Sequence, residues 1–251
     1  MTNSVERFSN RVENYVKYRP DYPREIIPFL SENCGLTPES VITDVGCGPG
    51  ISSQMFLENG NRVLGVEPNA AMREASRRYL GDFPLFDPHD GTCDATGLSD
   101  DSVDMIVAAQ AFHWFDPERT RTEFTRILRP GGYIVLIWNE RQLGTTAFLV
   151  DYEGFLIKYA YDYGNVRHEN IAAEQLQNFF QKDYGAATFP NVQIFDFDGI
   201  KGRMLSSSYM PNETDPIFEK MIEELHELFA KHAENGKIKV FYDTNVYYAK
   251  V

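Results

Sequence analysis

Three glycines alternate along the short stretch "DVGCGPG" at residues 44–50, where they occupy positions 46, 48 and 50. An apolar run, "VITDV", comes before them, and a helix-like segment, "ISSQMFLENG", follows. Glycine allows a sharp turn and lets a ligand approach the main chain, and open α/β sheets bind ligands at such strand-to-helix loops. The stretch therefore predicts a small-molecule site built largely from backbone.

An acidic residue follows the glycine loop at a spacing that suits a ribose. Glu67 lies 21 residues after Gly46, at the end of the second apolar strand, "RVLGV". A carboxylate there can accept hydrogen bonds from both ribose hydroxyls. Strand, loop, helix, strand and acid together predict a nucleoside-type ligand. The alternative is a tight turn followed by an exposed glutamate.

The order of the glycines distinguishes between two such ligands. The dinucleotide fingerprint needs G-x-G-x-x-G, but here Ile51 stands where its third glycine should be. Asp44, just before the loop, would repel a phosphate and suit an ammonium group. We therefore expect S-adenosylmethionine, whose tail carries an amine, rather than NAD.

Strand-like and helix-like segments alternate from residue 41 to residue 138. Asn69 and Asp116 are typical helix N-caps, and Gly60 is typical of a helix end. The alternation predicts an α/β fold, a doubly wound and mostly parallel sheet with helices on both faces. The segment 83–92 should hold the third strand, but Pro88 predicts that this strand is short or distorted.

The pattern changes after Trp138. Residues 139–190 are rich in tyrosine and phenylalanine and helical in character, which indicates an inserted helical lobe within a single domain, 1–251. An alternating strand, "NVQIFDFD", follows, and then a long amphipathic helix that begins after Asp215-Pro216 and ends at Gly236. The final segment, "KIKVFYDTNVYYAKV", predicts a closing strand.

Composition narrows the possible partners. The net charge of −13 disfavours a nucleic-acid partner. No apolar run of about 18 residues predicts a membrane span, and the N-terminal segment lacks the apolar core of a signal peptide. The three cysteines lack metal-type spacing and favour a reducing, cytoplasmic setting. Asp87, His89 and Asp90 are interpreted as an exposed loop, so no metal is expected.

Four stretches resemble, in order and spacing, the class I S-adenosylmethionine-dependent methyltransferases: "DVGCGPG" (44–50), "GVEPNAAM" (65–72), "GTCDATGLSDDSVDMIVAAQAFHWFD" (91–116) and "LRPGGYIVLIWNE" (128–140). "YVKYRPDYP" and "YDTNVYYAKV" resemble the small-molecule branch that includes trans-aconitate methyltransferase-like proteins. The resemblance implies a Rossmann-like sheet of seven strands with the last one antiparallel. It also implies methyl transfer from S-adenosylmethionine to a small-molecule acceptor, with S-adenosylhomocysteine as the product.

The resemblance also implies which residues contact the cofactor. The glycine loop passes its methionine part with Asp44 near the amine, and Glu67 binds the ribose. Arg19, in an N-terminal cover segment 1–23, would bind the carboxylate bidentately; a surface arginine is the alternative. The full implied set is Arg19, Asp44, Gly46, Cys47, Gly48, Glu67, Pro68, Met72, Cys93, Asp94 and Gln110.

Within that set, the adenine is expected between Pro68 and Met72. Cys93 and Asp94 would form hydrogen bonds with the edge of the adenine ring, and Gln110, at the end of the fourth strand, would face the cofactor. The alternative for Asp94 is a solvated turn acid, because "DATGLSDD" is crowded with such residues.

His113 follows the fourth strand, where the transferred methyl group should lie. It is a candidate general base. The alternative is a histidine packed among aromatic rings, and a carboxylate acceptor needs no base because alignment can supply the catalysis. Arg203, in "GRMLSSSY", is a candidate partner for an acceptor anion. The expected acceptor site comprises Tyr15, Tyr18, His113, Trp114, Trp138 and Arg203.

Two other functions remain open at this point. The chain could bind the cofactor without turnover, as a sensor or scaffold. It could also methylate a macromolecule, but amino-directed enzymes carry an Asn/Asp-Pro-Pro-aromatic run where this chain has "AQAF" at 109–112. The sequence leaves the acceptor, its reacting atom and the oligomeric state undetermined.

Overall fold

The computed structural model describes residues 12–161, 163, 173–207 and 209–251. Its centre is a seven-stranded sheet in the order β3-β2-β1-β4-β5-β7-β6. Strands β1 to β5 run parallel to one another, and β7 is antiparallel to both β5 and β6. The predicted doubly wound sheet with an antiparallel last strand is therefore confirmed. The strands are β1 Val41–Val45, β2 Arg62–Val66, β3 Phe86–His89, β4 Val103–Ala109, β5 Leu128–Arg141, β6 Gly185–Phe195 and β7 Ile238–Lys250.

Helices connect these strands. One turn of 3₁₀-helix, Phe112–Trp114, follows β4. The α-helices are α1 Val12–Tyr18, α2 Ile26–Cys34, α3 Ile51–Glu58, α4 Ala70–Tyr79, α5 Pro117–Ile127, α6 Ala147–Tyr159, α7 Ala173–Phe180, α8 Phe197–Leu205 and α9 Phe218–His232. Residues 1–11 of the expected cover segment lie outside the described residues.

Helices α4 and α5 begin at residues whose side chains cap them. The Asn69 side chain accepts hydrogen bonds from the backbone N–H groups of Ala71 and Met72, at 2.9 and 3.1 Å. Asp116 caps α5 in the same way, with Pro117 at its first position. Both N-caps satisfy donors that a helix cannot satisfy itself, and they fix where α4 and α5 begin beside the glycine loop.

The third strand is short and lies at the sheet edge, as its proline predicts. Strand β3 has only four residues, and Pro88 lies opposite Gly65 of β2. A proline lacks the N–H that a central strand would need on one side, so it is tolerated where one side of the strand is unpaired.

The expected limits of the inserted lobe need correction at both ends. Strand β5 continues to Arg141, and β6 begins at Gly185 rather than near residue 191. The physical reason is the length of β7, which pairs with β5 along one side and with β6 along the other. Helices α6 and α7 lie between these strands. The long helix α9 also ends earlier than predicted, at His232, because Glu234 and Lys237 form a separate tight turn.

The central strands are buried on both faces. Along β4, Ile106 and Ala108 join one apolar cluster, while Val107 and Ala109 join another on the opposite face. Such two-sided burial is typical of parallel strands covered by helices, and each fully buried large side chain contributes roughly 1.5–3 kcal/mol. A third cluster joins α6, α8 and α9 to the extended ends of β6 and β7.

None of the described helices is both long enough and apolar enough to cross a membrane. Within residues 12–161, 163, 173–207 and 209–251, no group of three or more His, Cys, Asp or Glu side chains is placed to hold a metal ion.

Candidate functional site

Two adjoining cavities lie at the carboxyl ends of β1, β2 and β4, with volumes of about 390 and 50 Å³. Tyr15, Gly46, Gly48 and Gln110 line both of them. This is the sheet edge at which open α/β folds bind ligands. The larger cavity has room for a nucleoside, and the smaller one continues beneath the N-terminal helix.

The first two glycines of the loop are required for different reasons. Gly46 has φ +72°, and a Cβ there would lie 2.6 Å from the Cβ of Ala111. Gly48 has φ +54°, and a Cβ there would meet nothing within 4 Å. Gly46 therefore permits close packing inside the protein, whereas Gly48 leaves space open for a ligand. Gly50 has φ +93° and is the N-cap of α3.

Glu67 is 9% exposed and lies at the wall of the larger cavity. Its Oε2 accepts a hydrogen bond from the N–H of Gly48 at 3.0 Å, and its Oε1 accepts one from the N–H of Asn69 at 2.8 Å. Burial raises the pKa of Glu67, although these hydrogen bonds lower it in part. Each carboxylate oxygen keeps further lone pairs, so the fixed side chain can still accept hydroxyl donors.

Asp44 lies behind the cavity wall rather than in it. It is fully buried, and its Oδ2 accepts hydrogen bonds from Ser52 and Ser53 at 2.6 and 2.7 Å. Asp44 lines neither cavity, although Ser52 lines the smaller one. Burial raises the pKa of Asp44 to about 6, although the serine hydrogen bonds lower it in part. Ser52 therefore links this carboxylate to the wall of the smaller cavity through a hydrogen bond.

The raised pKa of Asp44 predicts a pH effect on stability. The folded chain holds the Asp44 proton more tightly than an unfolded chain with a pKa of 3.8, so protonation stabilises the fold as pH falls through about 6. From pH 7 to pH 4, this one group should add roughly 2 to 2.5 kcal/mol to the free energy of unfolding. Denaturant titrations of wild type and Asp44→Asn at several pH values measure the difference. Parallel stability curves for the two proteins would contradict the assignment.

Gln110 lies where the two cavities meet. Its backbone has φ +56°, which is uncommon for a residue other than glycine. The side-chain Nε2 donates to the carbonyl of Asn139 at 2.9 Å, while Oε1 is buried without a hydrogen-bond partner. Buried acceptors are normally satisfied. The Gln110 Oε1 is therefore suited to a donor group on a ligand.

Arg19 covers the smaller cavity from the end of α1. Its guanidinium lies 4.9 Å from the ring centre of Tyr15, and its Nη2 donates to the carbonyl of Ser206 at 3.1 Å. The Arg19 Nε is buried without a partner. Burial lowers the pKa of Arg19, and the nearby positive charge of Arg203 lowers it further. The guanidinium remains available to an anion at the end of the cavity.

The expected adenine residues gather along the larger cavity. Pro68, Met72, Cys93 and Asp94 all line it. The Asp94 carboxylate, however, is already held by the hydroxyl of Thr92 at 2.6 Å and by Arg119 at 2.7 Å. The Thr92 hydrogen bond is the main cause of the lowered pKa of Asp94, with Arg119 contributing. Its side chain would have to share these partners with an adenine edge.

The expected acceptor residues are only partly brought together. Trp114 lines the larger cavity and is 41% exposed. The His113 ring packs against it in a tilted arrangement, with ring centres 4.6 Å apart, but lines neither cavity. Trp138 is 4% exposed and belongs to the apolar core, because it lies on the same face of β5 as Ile134. Tyr18 and Arg203 also lie outside both cavities.

Several lining residues were not anticipated from the sequence. Tyr22 and Pro20 belong to the motif "YRPDYP", so this motif could have predicted them as lining residues. Asn139 follows the buried part of β5, at the carboxyl edge of the sheet where ligands bind, so its position in the strand could have predicted it. The additional residues of the larger cavity are Asn69, Gly91, Thr92, Ala111, Phe115 and Asp116, and those of the smaller cavity are Pro20, Tyr22, Pro49, Ile51, Ser52, Ala109 and Asn139.

The glycine loop, Glu67 and the fourth strand all fall within one recognised unit. Residues 43–136 match the methyltransferase domain. An uncharacterized methyltransferase of Mycobacterium bovis is 37% identical over 134 residues, 53% of this chain and 52% of that protein. A protein of Saccharomyces cerevisiae named as an S-adenosylmethionine-dependent methyltransferase is 30% identical over 124 residues, 47% of this chain and 42% of that protein. The chain thus matches about half the length of these curated relatives.

Solved methyltransferase structures share the fold over nearly the whole chain. A protein described as a type II methyltransferase from Anaeromyxobacter dehalogenans superposes with a TM-score of 0.70, covering 93% of this chain and 98% of that one at 22% identity. This likeness shows the Rossmann-like methyltransferase fold, as predicted. The matched stretch, which carries the glycine loop and Glu67, is thus similar to methyltransferase domains.

Proposed function

We propose that this protein transfers the methyl group of S-adenosylmethionine to a small-molecule acceptor, through a carboxylate or hydroxyl oxygen. The observation that carries the proposal is the fixed carboxylate of Glu67. Two backbone N–H groups, including that of Gly48, hold it at the wall of a cavity large enough for a nucleoside. The domain match over 43–136 supports the same cofactor.

The residues present fit this cofactor. Glu67 would accept the ribose hydroxyls, with Pro68 and Met72 beside the adenine. In the smaller cavity, Arg19 would bind the carboxylate, and the unpartnered Gln110 Oε1 would accept from the amine. Gly46, Cys47 and Gly48 would contact the methionine part through the main chain, and Asp44 would act through Ser52.

The chemistry needs alignment more than proton transfer. When bound, S-adenosylmethionine would supply a methyl group on a positively charged sulfur. An acceptor oxygen in line with the C–S bond would form a bond to the methyl carbon, and the electron pair of the broken C–S bond would stay on sulfur. The chain's contribution is to hold the acceptor opposite that bond and to exclude water. Trp114 and Tyr15 are placed at the cavity to form part of that wall. A carboxylate acceptor loses no proton, whereas a hydroxyl acceptor must lose one.

The favoured acceptors are small molecules that carry an acid or hydroxyl group, in keeping with the resemblance to the small-molecule branch that includes trans-aconitate methyltransferase-like proteins. The cavity wall is partly aromatic, which suits a small organic acceptor. The chain's net charge of −13 makes a nucleic-acid acceptor unfavourable. We expect neither nucleic acid nor membrane among the partners, and a cytoplasmic location.

The direct test is turnover. Purified protein is incubated with S-adenosylmethionine and a panel of small acids, phenols, tRNA, DNA and protein, and formation of S-adenosylhomocysteine is measured. We expect product with one class of small acceptors. Methylation confined to a macromolecule would contradict the acceptor class. Tight cofactor binding without turnover of any acceptor would favour the alternative, a cofactor-binding sensor or scaffold.

The role of His113 depends on the acceptor. If the acceptor is a phenol or alcohol, His113→Ala should lower kcat by roughly 10²–10⁴-fold, the range for a lost general base. If it is a carboxylate, the fall should be modest, because no proton is removed. His226→Ala is the control, since His226 packs on Phe197 in the third cluster. A modest fall with a hydroxyl acceptor would exclude His113 as the base.

The N-terminal segment and the lobe should close over the cofactor when it binds. Tyr15 in α1 and Arg19 just after it line the cavities. We therefore expect amide hydrogen exchange in Tyr15–Arg19, and in helices α6 and α7 of the lobe, to slow when S-adenosylhomocysteine is added. Exchange in α2, which lines neither cavity, should not change. Equal exchange in the cover with and without ligand would contradict closure.

A further inference from the structure

Two carboxamide side chains of β6, Asn191 and Gln193, face the N-terminal segment, residues 12–23. They occupy alternate positions on the face of β6 that also carries Phe189 and Phe195, so they interrupt an otherwise apolar row. Both side chains are half-buried, and neither lines a cavity. Carboxamides in such a place need hydrogen-bond partners, and the N-terminal segment supplies them.

Both side chains donate to backbone carbonyls of this segment. Nδ2 of Asn191 donates to the carbonyl of Asp21 at 2.8 Å. Nε2 of Gln193 donates to the carbonyl of Tyr18 at 3.1 Å. These two carbonyls lie on either side of Arg19 in the chain, so β6 holds the backbone from which the Arg19 guanidinium reaches the smaller cavity.

Asn139 connects this contact to the smaller cavity, which it lines. Its Nδ2 also donates to the carbonyl of Asp21, at 3.0 Å. Its Oδ1 accepts from Asn191 at 3.3 Å and from the hydroxyl of Thr244. Its backbone carbonyl accepts from Nε2 of Gln110 at 2.9 Å. One series of hydrogen bonds therefore runs from β6 to the N-terminal segment and to the glutamine at the junction of the cavities.

Helix α8 holds the same segment by close packing. A Cβ at Gly202 would lie 2.0 Å from Cε2 of Tyr18, so the tyrosine ring lies directly on the helix backbone. Nη2 of Arg19 donates to the carbonyl of Ser206, just after the helix. No residue of β6 or α8 lines either cavity. The position of the segment over the cavities is thus set partly by elements that lie outside them.

We propose that Asn191 and Gln193 are positioning residues for cofactor binding; this rests on the proposed function. They hold the N-terminal segment so that Arg19 reaches the carboxylate of the cofactor's amino-acid tail. Through Asn139 they also help to place Gln110 beside the amine of that tail. A guanidinium binds a carboxylate best when both hydrogen bonds are aligned, so a small shift of the segment should weaken binding of the tail and leave the nucleoside contacts intact.

The test compares two ligands that share the nucleoside and differ in the tail. S-adenosylhomocysteine carries the amino-acid tail, and 5′-methylthioadenosine has a methyl group on sulfur in its place. Asn191→Leu and Gln193→Met remove the carboxamides at nearly constant volume and introduce no charge. By calorimetry, we expect each variant to weaken S-adenosylhomocysteine binding by about tenfold, the scale of a partly lost charge-assisted pair. Binding of 5′-methylthioadenosine should change by less than about twofold, because it makes no contact with Arg19 through a tail.

Asn245→Leu is the matched control. Asn245 is a carboxamide on the other face of the same sheet, where its Nδ2 donates to Glu140 at 3.0 Å, so its loss should leave both affinities unchanged. Arg19→Gln tests the route of the effect. In that background Gln193→Met should weaken S-adenosylhomocysteine binding much less than in the wild type, because the group that it positions is gone. Circular dichroism and the thermal midpoint establish that each variant is folded, and Asn191→Ser takes the place of Asn191→Leu if the latter does not fold.

Unchanged S-adenosylhomocysteine affinity in the folded Asn191 and Gln193 variants would contradict this role. Equal losses for the two ligands would also contradict it, since a purely structural role would disturb the whole site. Equal affinity of the wild type for the two ligands would mean that the tail is not recognised, and would overturn the role as well. A wild-type protein that binds neither ligand would instead count against the proposed function itself.

Discussion

Gly48→Ala is expected to keep the fold and lose most of the cofactor affinity. The added Cβ would meet no protein atom within 4 Å, so it would project into the open space that Gly48 provides to both cavities. A methyl group there would occupy the volume of the ligand that approaches the main chain. Isothermal calorimetry with S-adenosylhomocysteine should show affinity lower by about a hundredfold, or roughly 3 kcal/mol.

Gly35→Ala is the matched control. Gly35 also has a positive φ, +68°, and a Cβ there also meets nothing within 4 Å, but it ends α2 away from the cavities. Both variants carry the same cost of a left-handed alanine, about 1–2 kcal/mol. They should therefore lose similar stability but differ widely in cofactor affinity. Equal affinities in the two variants would mean that no ligand approaches Gly48.

Gly46→Ala should behave differently from Gly48→Ala. Its Cβ would overlap the Cβ of Ala111, which cannot move without its backbone. Overpacking of this kind typically costs about 1–3 kcal/mol, in addition to the strain at φ +72°. The loss should appear as a lower free energy of unfolding as well as weaker binding.

Removing the Glu67 carboxylate is expected to weaken cofactor binding by roughly 1.5–3 kcal/mol, the scale of lost charge-assisted hydrogen bonds. Glu67→Ala also leaves the N–H groups of Gly48 and Asn69 without their acceptors, so this variant should be destabilised as well. Glu67→Gln retains one acceptor oxygen and removes the charge. It should therefore separate the effect on binding from the effect on folding.

The control for Glu67 is Glu74→Gln, an exposed residue on α4 that pairs with Arg77. The dissociation constant of S-adenosylhomocysteine is measured for each folded variant, together with its free energy of unfolding. An unchanged dissociation constant in Glu67→Gln and in folded Glu67→Ala would remove Glu67 from the ribose site.

The parts of the fold that depend on local signals were predictable from the sequence. Asn69 and Asp116 begin helices because their side chains satisfy nearby backbone donors, which needs no knowledge of the rest of the chain. Pro88 limits β3 for a similarly local reason. The ends of the lobe were not predictable, because β6 begins where the long β7 offers it a pairing edge.

In the candidate site, too, the features set by nearby residues were predictable and those set by distant residues were not. The glycine loop and Glu67 lie together because consecutive parallel strands end at one sheet edge. Trp138 was expected in the acceptor pocket, but β5 is buried on both faces, with Trp138 in one apolar cluster and Ile137 in another, so alternation along the strand does not indicate which side chains reach a pocket. Arg19 and Arg203 both donate to the hydroxyl of Ser207, although Arg19 is far from the other two in the chain, and no spacing in the sequence indicates this arrangement.

Calorimetric titration of the purified protein with S-adenosylhomocysteine and, separately, with NAD(H) tests the central claim most directly. The early third glycine, the open space at Gly48 and the fixed carboxylate of Glu67 predict binding of S-adenosylhomocysteine at about micromolar concentration, near −8 kcal/mol, and none of NAD(H). Binding of NAD(H) without binding of S-adenosylhomocysteine would contradict the account.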